Sequence, residues 1–598
     1  MSASARSPAR HAGPTSGGAP RWRVPALLTR VLGDARVAPR ERWLWLGAVL
    51  GTTLLIVYPL GMFLIGGFRS APWGDAGAHW TLDGFRQAYG DSHTWRLALN
   101  TLWIGLMTVT GVMAVAVSFA WLLTRTDIPA KRLLLFVATA PYFIPALVCG
   151  FSWSVLGNPR NGLLNRWASW LWGENIRPFN LYTHEGIAFV MITYIAPIAF
   201  LLIYPLFRSV DSSMEESSYA SGGSVFRTLR RITLPVLAPG LLGVGLLMGI
   251  KALETFEIPF MLGQPSRINV FTTEIYAVLT FIPPADYARA TALALLLVVV
   301  TAGVALPLQR YVSARQKAFV TVRGKGHVAK PTRLGGWRMP VLLLCLAYGF
   351  VTLLLPLYPI LIAAFSKVFG VFEVDNFTLE HFAHVFETPL LQRGIVNSLL
   401  LAAGGATFGC IWALGIAYTV HRTRLRGRHL LDFACYLPVS IPGLVLGLAL
   451  LWGYLATPGL SALYGTHWIL LIAYMTVALP FALRGISAAL LQIDPELEEA
   501  ARMSGSGSAQ VWRRVLIPLL RPGLMGAWTL LFIMIVREVG ASVLLYNSDT
   551  VVLSVLVLDH WNSGFLGPVA AMSCVMIAII VAAFALMRLL GGRFDAVS

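Results

Sequence analysis

Charge is scarce in this sequence: of 598 residues, 12% are Asp, Glu, Lys or Arg, against 57% hydrophobic, with a mean hydropathy of +0.69. A chain so poor in polar surface cannot enclose its apolar residues in a water-soluble core, so most of its mass faces lipid. Cysteine is also scarce. Cys149, Cys345, Cys410, Cys435 and Cys574 all stand inside apolar runs and never as a close pair, which excludes a disulfide framework and reads them as small hydrophobes. No Gly-x-x-x-x-Gly-Lys-Ser/Thr loop occurs, the nearest fragment being Gly324-Lys325-Gly326, so ATP has no phosphate cradle in this chain. His381 and His384 are three residues apart at the start of an expected external helix, but with no further ligands they read as solvated surface, and no metal site is assigned. No catalytic constellation converges elsewhere, so the chain reads as a non-enzyme.

What is present is a series of charge-free runs. A helix crossing the ~30 Å hydrocarbon layer needs about 20 apolar residues. Such runs extend over 43–68, 97–124, 133–159, 186–207, 290–309, 339–366, 394–421, 433–483 and 561–587, with 433–483 long enough for two spans. Shorter runs at 235–250 and 522–536 reach full length past a few charges, giving about twelve transmembrane helices in an all-α membrane protein. The run from Trp43 is too long for a cleavable signal peptide.

The formal charge of +18 would suggest nucleic acid in a soluble protein, but here the basic residues lie between the apolar runs. Arg6, Arg10, Arg21, Arg23, Arg30, Arg36, Arg40 and Arg42 crowd the first 42 residues, and 310–338 carries Lys and Arg without an acid. The positive-inside rule places both segments, with 125–132 and 422–428, in the cytoplasm, whereas 370–387, with Glu373, Asp375, Glu380 and Glu387 and no base, lies outside. Both termini are then cytoplasmic. The expected organisation is a disordered tail at 1–42, a first half at 43–310, a basic linker at 311–338 and a second half at 339–590.

The halves repeat one another. Asn100, Arg125, Pro141, Ile144, Pro145 and Gly150 match Asn397, Arg422, Pro438, Ile441, Pro442 and Gly447 at a shift of 297. Further on, 215–223 matches 498–506 and 230–240 matches 513–523 at a shift of 283, so the first half holds about fourteen extra residues, expected in the external loop at 158–183. Halves with an even number of spans lie parallel, related by an axis along the membrane normal, whereas an inverted-repeat secondary transporter would have odd halves. The paired prolines predict kinks in the third helix of each half.

The most informative residues lie in the repeated loop. Glu216, Gly222, Pro235 and Pro239 stand against Glu499, Gly505, Pro518 and Pro522 without a gap. Glu215, Glu216, Glu498 and Glu499 suit the positive end of a short helix dipole, Gly222 and Gly505 can end that helix in a left-handed turn, and Pro235 and Pro518 suit the first turn of the next helix. Arg230, Arg231, Arg513 and Arg514 would meet anionic headgroups. The spacing, with Glu499, Ala500, Ala501 and Gly505, resembles the coupling loop of binding-protein-dependent permeases of the ATP-binding cassette superfamily, and Ser217 and Ser218 depart from it while keeping the small size. The resemblance covers both halves. It implies two parallel six-helix halves of the type I importer permease fold, two copies of a separate ATPase that carries ATP and Mg, and an external solute-binding protein. It leaves this chain without a cofactor, in contact with membrane lipid and not with nucleic acid, in the cell inner membrane.

Lys251, Glu254 and Glu257 are expected in the fifth helix of the first half, and Arg537 and Glu538 at the matching place in the second, where each charge costs roughly 2.5–3.5 kcal/mol to insert. They read either as a substrate path or gate, or as an ion pair locking helices. Fusion of two halves, with 251–263, 272–276 and 537–546, resembles the ferric-iron importer permeases, with thiamine, aminoethylphosphonate or polyamine as alternative cargo.

Overall fold

A computed structural model describes residues 39–71, 77–173, 176–209, 213–316, 331–370 and 374–589. Within these the regular structure is helical, with only isolated bridges such as Arg69–Trp80 and its repeat Ser366–Phe377. In the first half the long helices are α1 (Trp45–Gly66), α2 (Ser92–Arg125), the broken α3 (Lys131–Phe143 and Ala146–Gly157), α4 (His184–Ser209), α5 (Val225–Glu254) and α6 (Tyr287–Gln316). Their repeats are α7 (Gly335–Phe365), α8 (Pro389–Arg422), the broken α9 (Arg428–Ser440 and Gly443–Leu455), α10 (His467–Leu491), α11 (Ser508–Val536) and α12 (Leu566–Leu589). Among the described residues nine helices are long and apolar enough to cross a membrane, or eleven with each broken pair taken as one span. The expected count of twelve is thus not reached on that measure, because in α6 the apolar stretch that is described covers only Tyr287–Gly303.

The expected tail falls almost wholly outside the described residues, but helix already begins at Pro39. Most of the expected linker, including 324–326, also falls outside them, while α6 runs on to Gln316 and α7 starts at Gly335.

Proline shapes these helices in two ways. Pro235 and Pro518 do not open α5 and α11 as expected. Each sits inside a continuous helix, just after a wide π-turn at Leu229–Thr233 or Trp512–Leu516. In these turns the amides of Leu234 and Ile517 bond five residues back, to the Leu229 and Trp512 carbonyls. Widening the turn moves aside the carbonyl that the proline ring would strike, so the helix passes through the proline intact. The same device precedes Pro59 in α1, at Thr53–Val57, and Pro356 in α7, at Phe350–Leu354.

In α3 and α9 the prolines do more than kink the helix. Ile144 and Ile441, each before a proline, are extended, and the axis turns through 97° in α3 and 116° in α9. The two segments beyond the breaks are buried almost throughout.

The halves interlock through their first helices. In α1, the Tyr58 hydroxyl donates to the Gly453 carbonyl of α9 at 3.0 Å, and Gly66 lies against the Trp452 ring. Trp452 in turn donates to Thr291 Oγ1 of α6 at 2.9 Å. In α7, the Pro356 carbonyl accepts from Ser152 of α3, and Gly349 lies against Val137. Each first helix therefore packs on the broken third helix of the opposite half. The extra residues of the first half form the helix Leu163–Trp172 between α3 and α4, where the second half has only a short turn at Ser461–Leu463.

Candidate functional site

The repeated loop between α4 and α5 forms the short helix Ser213–Ala220, and that between α10 and α11 forms Pro495–Met503. Each ends at the glycine that the spacing singles out. Gly222 has φ +79° and Gly505 φ +82°, and the amides of Gly223 and Ser506 fold back onto the Ser218 and Ala501 carbonyls at 2.8 and 3.0 Å. This is the geometry of a helix closed by a left-handed glycine. Ahead of the second helix, Asp494 accepts from the Glu496 amide.

The two glutamates of each loop divide their positions. Glu216 and Glu499 are exposed, as are Met214 and Leu497, residues that match at the 283 shift, and Met503 is 89% exposed. Glu215 and Glu498 point inward and are buried. Arg125 Nε, at the end of α2, lies 3.4 Å from Glu215, and Arg422 Nε, at the end of α8, lies 3.2 Å from Glu498. Thr233 also donates to Glu215 at 2.7 Å. Tyr418 donates to Glu498 at 3.3 Å, and Arg422 donates to the Leu490 carbonyl at 3.0 Å. Each surface helix is thereby tied to the second helix of its own half by a buried ion pair. Sequence reasoning placed Arg125 and Arg422 at matching positions without pairing them to these carboxylates. The signal was available, since both members of the pair repeat.

The anchors differ in one respect. Arg502 adds a second cation 3.6 Å from Glu498, whereas its counterpart Tyr219 meets Thr332 Oγ1 at 3.3 Å. Thr332 also donates its amide to the Arg125 carbonyl at 2.8 Å and accepts from the Asp127 amide at 3.1 Å. The described end of the inter-half segment therefore lies against the first surface helix. Ser217 and Ser218 use their hydroxyls locally, on the Ser213 carbonyl and on Thr228 Oγ1, both at 2.8 Å. Pro239 and Pro522 lie inside α5 and α11, beyond the π-turns.

Of the five charges expected in the fifth helices only Lys251 and Glu254 lie in α5, since α5 ends at Glu254 and α11 at Val536, and among the described residues no ion pair joins the two helices there. Lys251 and Glu254 are neighbours on one helix, 3.9 Å apart. Arg537 instead crosses to the first half. It donates to the Tyr142 carbonyl at the break in α3 at 2.9 Å and to the Tyr194 hydroxyl of α4 at 2.5 Å, with both rings within 6 Å of its guanidinium. Glu538 accepts from the Ala541 amide at 3.1 Å, and Glu257 accepts from the Phe256 amide at 3.3 Å. The segments that follow pack on the broken helices at equivalent glycines: a Cβ on Gly150 would lie 3.5 Å from the Ile258 Cα, and one on Gly447 would lie 3.2 Å from the Ala541 Cα.

A second repeated contact escaped the sequence reading. His184 lies 3.0 Å from Asn100 Oδ1, and His467 lies 3.0 Å from Asn397 Oδ1. Both asparagines donate onward to backbone carbonyls, Asn100 to Asn269 and Asn397 to Asp549 and Val551. The histidines also match at the 283 shift, which was the signal. His381 and His384 have separate partners, the Ser366 carbonyl and the Thr388 hydroxyl. Among the described residues no three His, Cys, Asp or Glu side chains are grouped as a metal ion would require.

Two halves, each with a surface helix tied to its membrane helices through one buried carboxylate, give the arrangement expected of a binding-protein-dependent importer permease. Residues 405–596 match the family described as the binding-protein-dependent transport system inner membrane component. Most of the chain is similar to ferric transport permeases. It is 26% identical to the ferric transport system permease protein FbpB of Actinobacillus pleuropneumoniae, over 93% of this chain and 80% of that one. It is 27% identical to a putative ferric transport system permease, FbpB 1, of Haemophilus influenzae, over 77% and 71%. A putative 2-aminoethylphosphonate transport permease, PhnV, of Salmonella typhimurium is 26% identical over 38% of this chain and 84% of its own length. Among solved structures, a bacterial importer of the acidic polysaccharide alginate is 20% identical and covers 46% of this chain and 97% of its own, at a TM-score of 0.39.

Proposed function

We propose that this chain is the membrane conduit through which ferric iron enters the cytoplasm, driven by ATP hydrolysis on two copies of a separate ATPase subunit. The observation that carries the coupling is the repeated anchor, Arg125–Glu215 and Arg422–Glu498. It leaves Glu216, Met214, Glu499 and Leu497 outward on a rigid base. One ATPase copy docks on each surface helix, and its movement is passed through the buried pair to α2 and α8. ATP and Mg are bound by that partner, and this chain itself hydrolyses nothing. Both termini lie in the cytoplasm, on the same side as the surface helices.

On the opposite face an external solute-binding protein delivers the cargo. Lys251, Glu254, Glu257, Arg537 and Glu538 act at the gate. Arg537 holds the halves together through Tyr142 and Tyr194, and the hinge it grasps is the proline break of α3. Similarity to the ferric permeases over most of the chain supports iron as cargo. The shorter match to PhnV supports aminoethylphosphonate as the second reading. Uptake of labelled ferric iron, thiamine and aminoethylphosphonate into cells with and without the gene tests the assignment. Loss of iron uptake alone supports it, and loss of another solute alone replaces the cargo.

A further inference from the structure

The two halves differ where their second and fifth helices meet. In the second half, Trp528 and Phe532 of α11 stack at 5.3 Å and 19°, and Trp528 donates to Thr407 Oγ1 of α8 at 3.0 Å. At the 283 shift their counterparts on α5 are Gly245 and Gly249. The ring pair that wedges α8 from α11 is therefore missing between α2 and α5, which leaves a cleft of about 700 Å³. The cleft extends along α5 from Leu234 to Leu253 and is closed on the α2 side by Leu102, Val109 and Met113. A Cβ added to Gly245 or Gly249 would come no nearer than 3.8 or 3.6 Å to any side chain, so the space is real at atomic scale.

We propose that this cleft holds an acyl chain of an anionic phospholipid. Every lining residue is glycine or aliphatic apart from Met113, so nothing there selects a polar ligand, and the cleft lies along membrane-spanning helices where lipid is the solvent. Its Leu234 end is three and four residues from Arg231 and Arg230, both exposed, which are placed to hold a phosphate headgroup. The mirror position is filled by one stack of two rings. A hydrocarbon chain matches that thickness, whereas a partner helix is about 10–12 Å across. The second half carries the matching Arg513 and Arg514 but has the Trp528 and Phe532 rings at the positions of Gly245 and Gly249, so one half binds the lipid and the other supplies its own wedge.

The test is native mass spectrometry of the purified full chain after exchange into mixed micelles of phosphatidylglycerol and detergent. The wild type is expected to retain one more phospholipid than Gly245→Trp/Gly249→Phe, which installs the second half's wedge. Trp528→Gly/Phe532→Gly, which opens the mirror cleft, is expected to gain one, and this keeps the test decisive if the first variant does not fold. Equal lipid retention in the wild type and the folded variants would overturn the proposal, as would a co-purifying polypeptide released by the first variant in place of lipid.

Discussion

Arg422 and Glu498 meet 3.2 Å apart, with 10% and 5% of their side chains exposed, and the pair joins the end of α8 to the surface helix Pro495–Met503. Arg125 and Glu215 repeat it at 3.4 Å. Breaking a buried pair by removing one partner strands the other charge, at a cost of roughly 3–5 kcal/mol. Glu498→Gln is therefore expected to lower the thermal midpoint of the purified protein markedly. An unchanged midpoint would show that the pair bears no load.

Glu499, one residue on, faces outward. Glu499→Gln is expected to change stability by no more than about 0.5 kcal/mol, as for other surface substitutions, while reducing transport. Comparing unfolding with uptake in the two variants separates the anchoring carboxylate from the docking one.

Gly505 has φ +82°, and a Cβ there would meet no other atom, so any cost of replacement is conformational. Gly505→Ala is expected to destabilise the loop by about 1–2 kcal/mol, and Gly222→Ala, at φ +79°, by a similar amount. Faster hydrogen exchange confined to 495–507 in the Gly505 variant checks this.

Interlocking of the first helices makes Gly66 a contact between halves, because its Cβ would come within 2.5 Å of the Trp452 ring. Gly66→Ala is expected to cost about 1–3 kcal/mol as an overpacked core and to change the fluorescence of Trp452. A variant with wild-type melting would contradict the placement of α1 on α9.

The span positions were legible in the sequence because lipid exposure writes itself as long charge-free runs, and the repeat was legible because Glu216, Gly222 and Pro235 recur without a gap at one shift and Arg125 at another. Three features were not. The near-right-angle breaks of α3 and α9 depend on how the buried segments after Pro145 and Pro442 pack, and local sequence records only that a helix is interrupted there. The π-turns before Pro235 and Pro518 let a helix continue where proline chemistry alone predicts a start. The Arg537 contacts with Tyr142 and Tyr194 join residues hundreds of positions apart, so the charge inventory, which left a substrate path or gate and a helix-locking ion pair both open, named neither partner.

The measurement that bears most directly on the central claim is ATP-driven uptake of labelled ferric iron into proteoliposomes holding this chain, its ATPase and its binding protein, with Glu499→Lys and Glu216→Lys as paired variants. The account predicts uptake with the wild type and its loss in both variants, at equal protein incorporation and unchanged melting. Wild-type uptake in both variants would contradict the assignment of these helices as the point where ATP hydrolysis is coupled to transport.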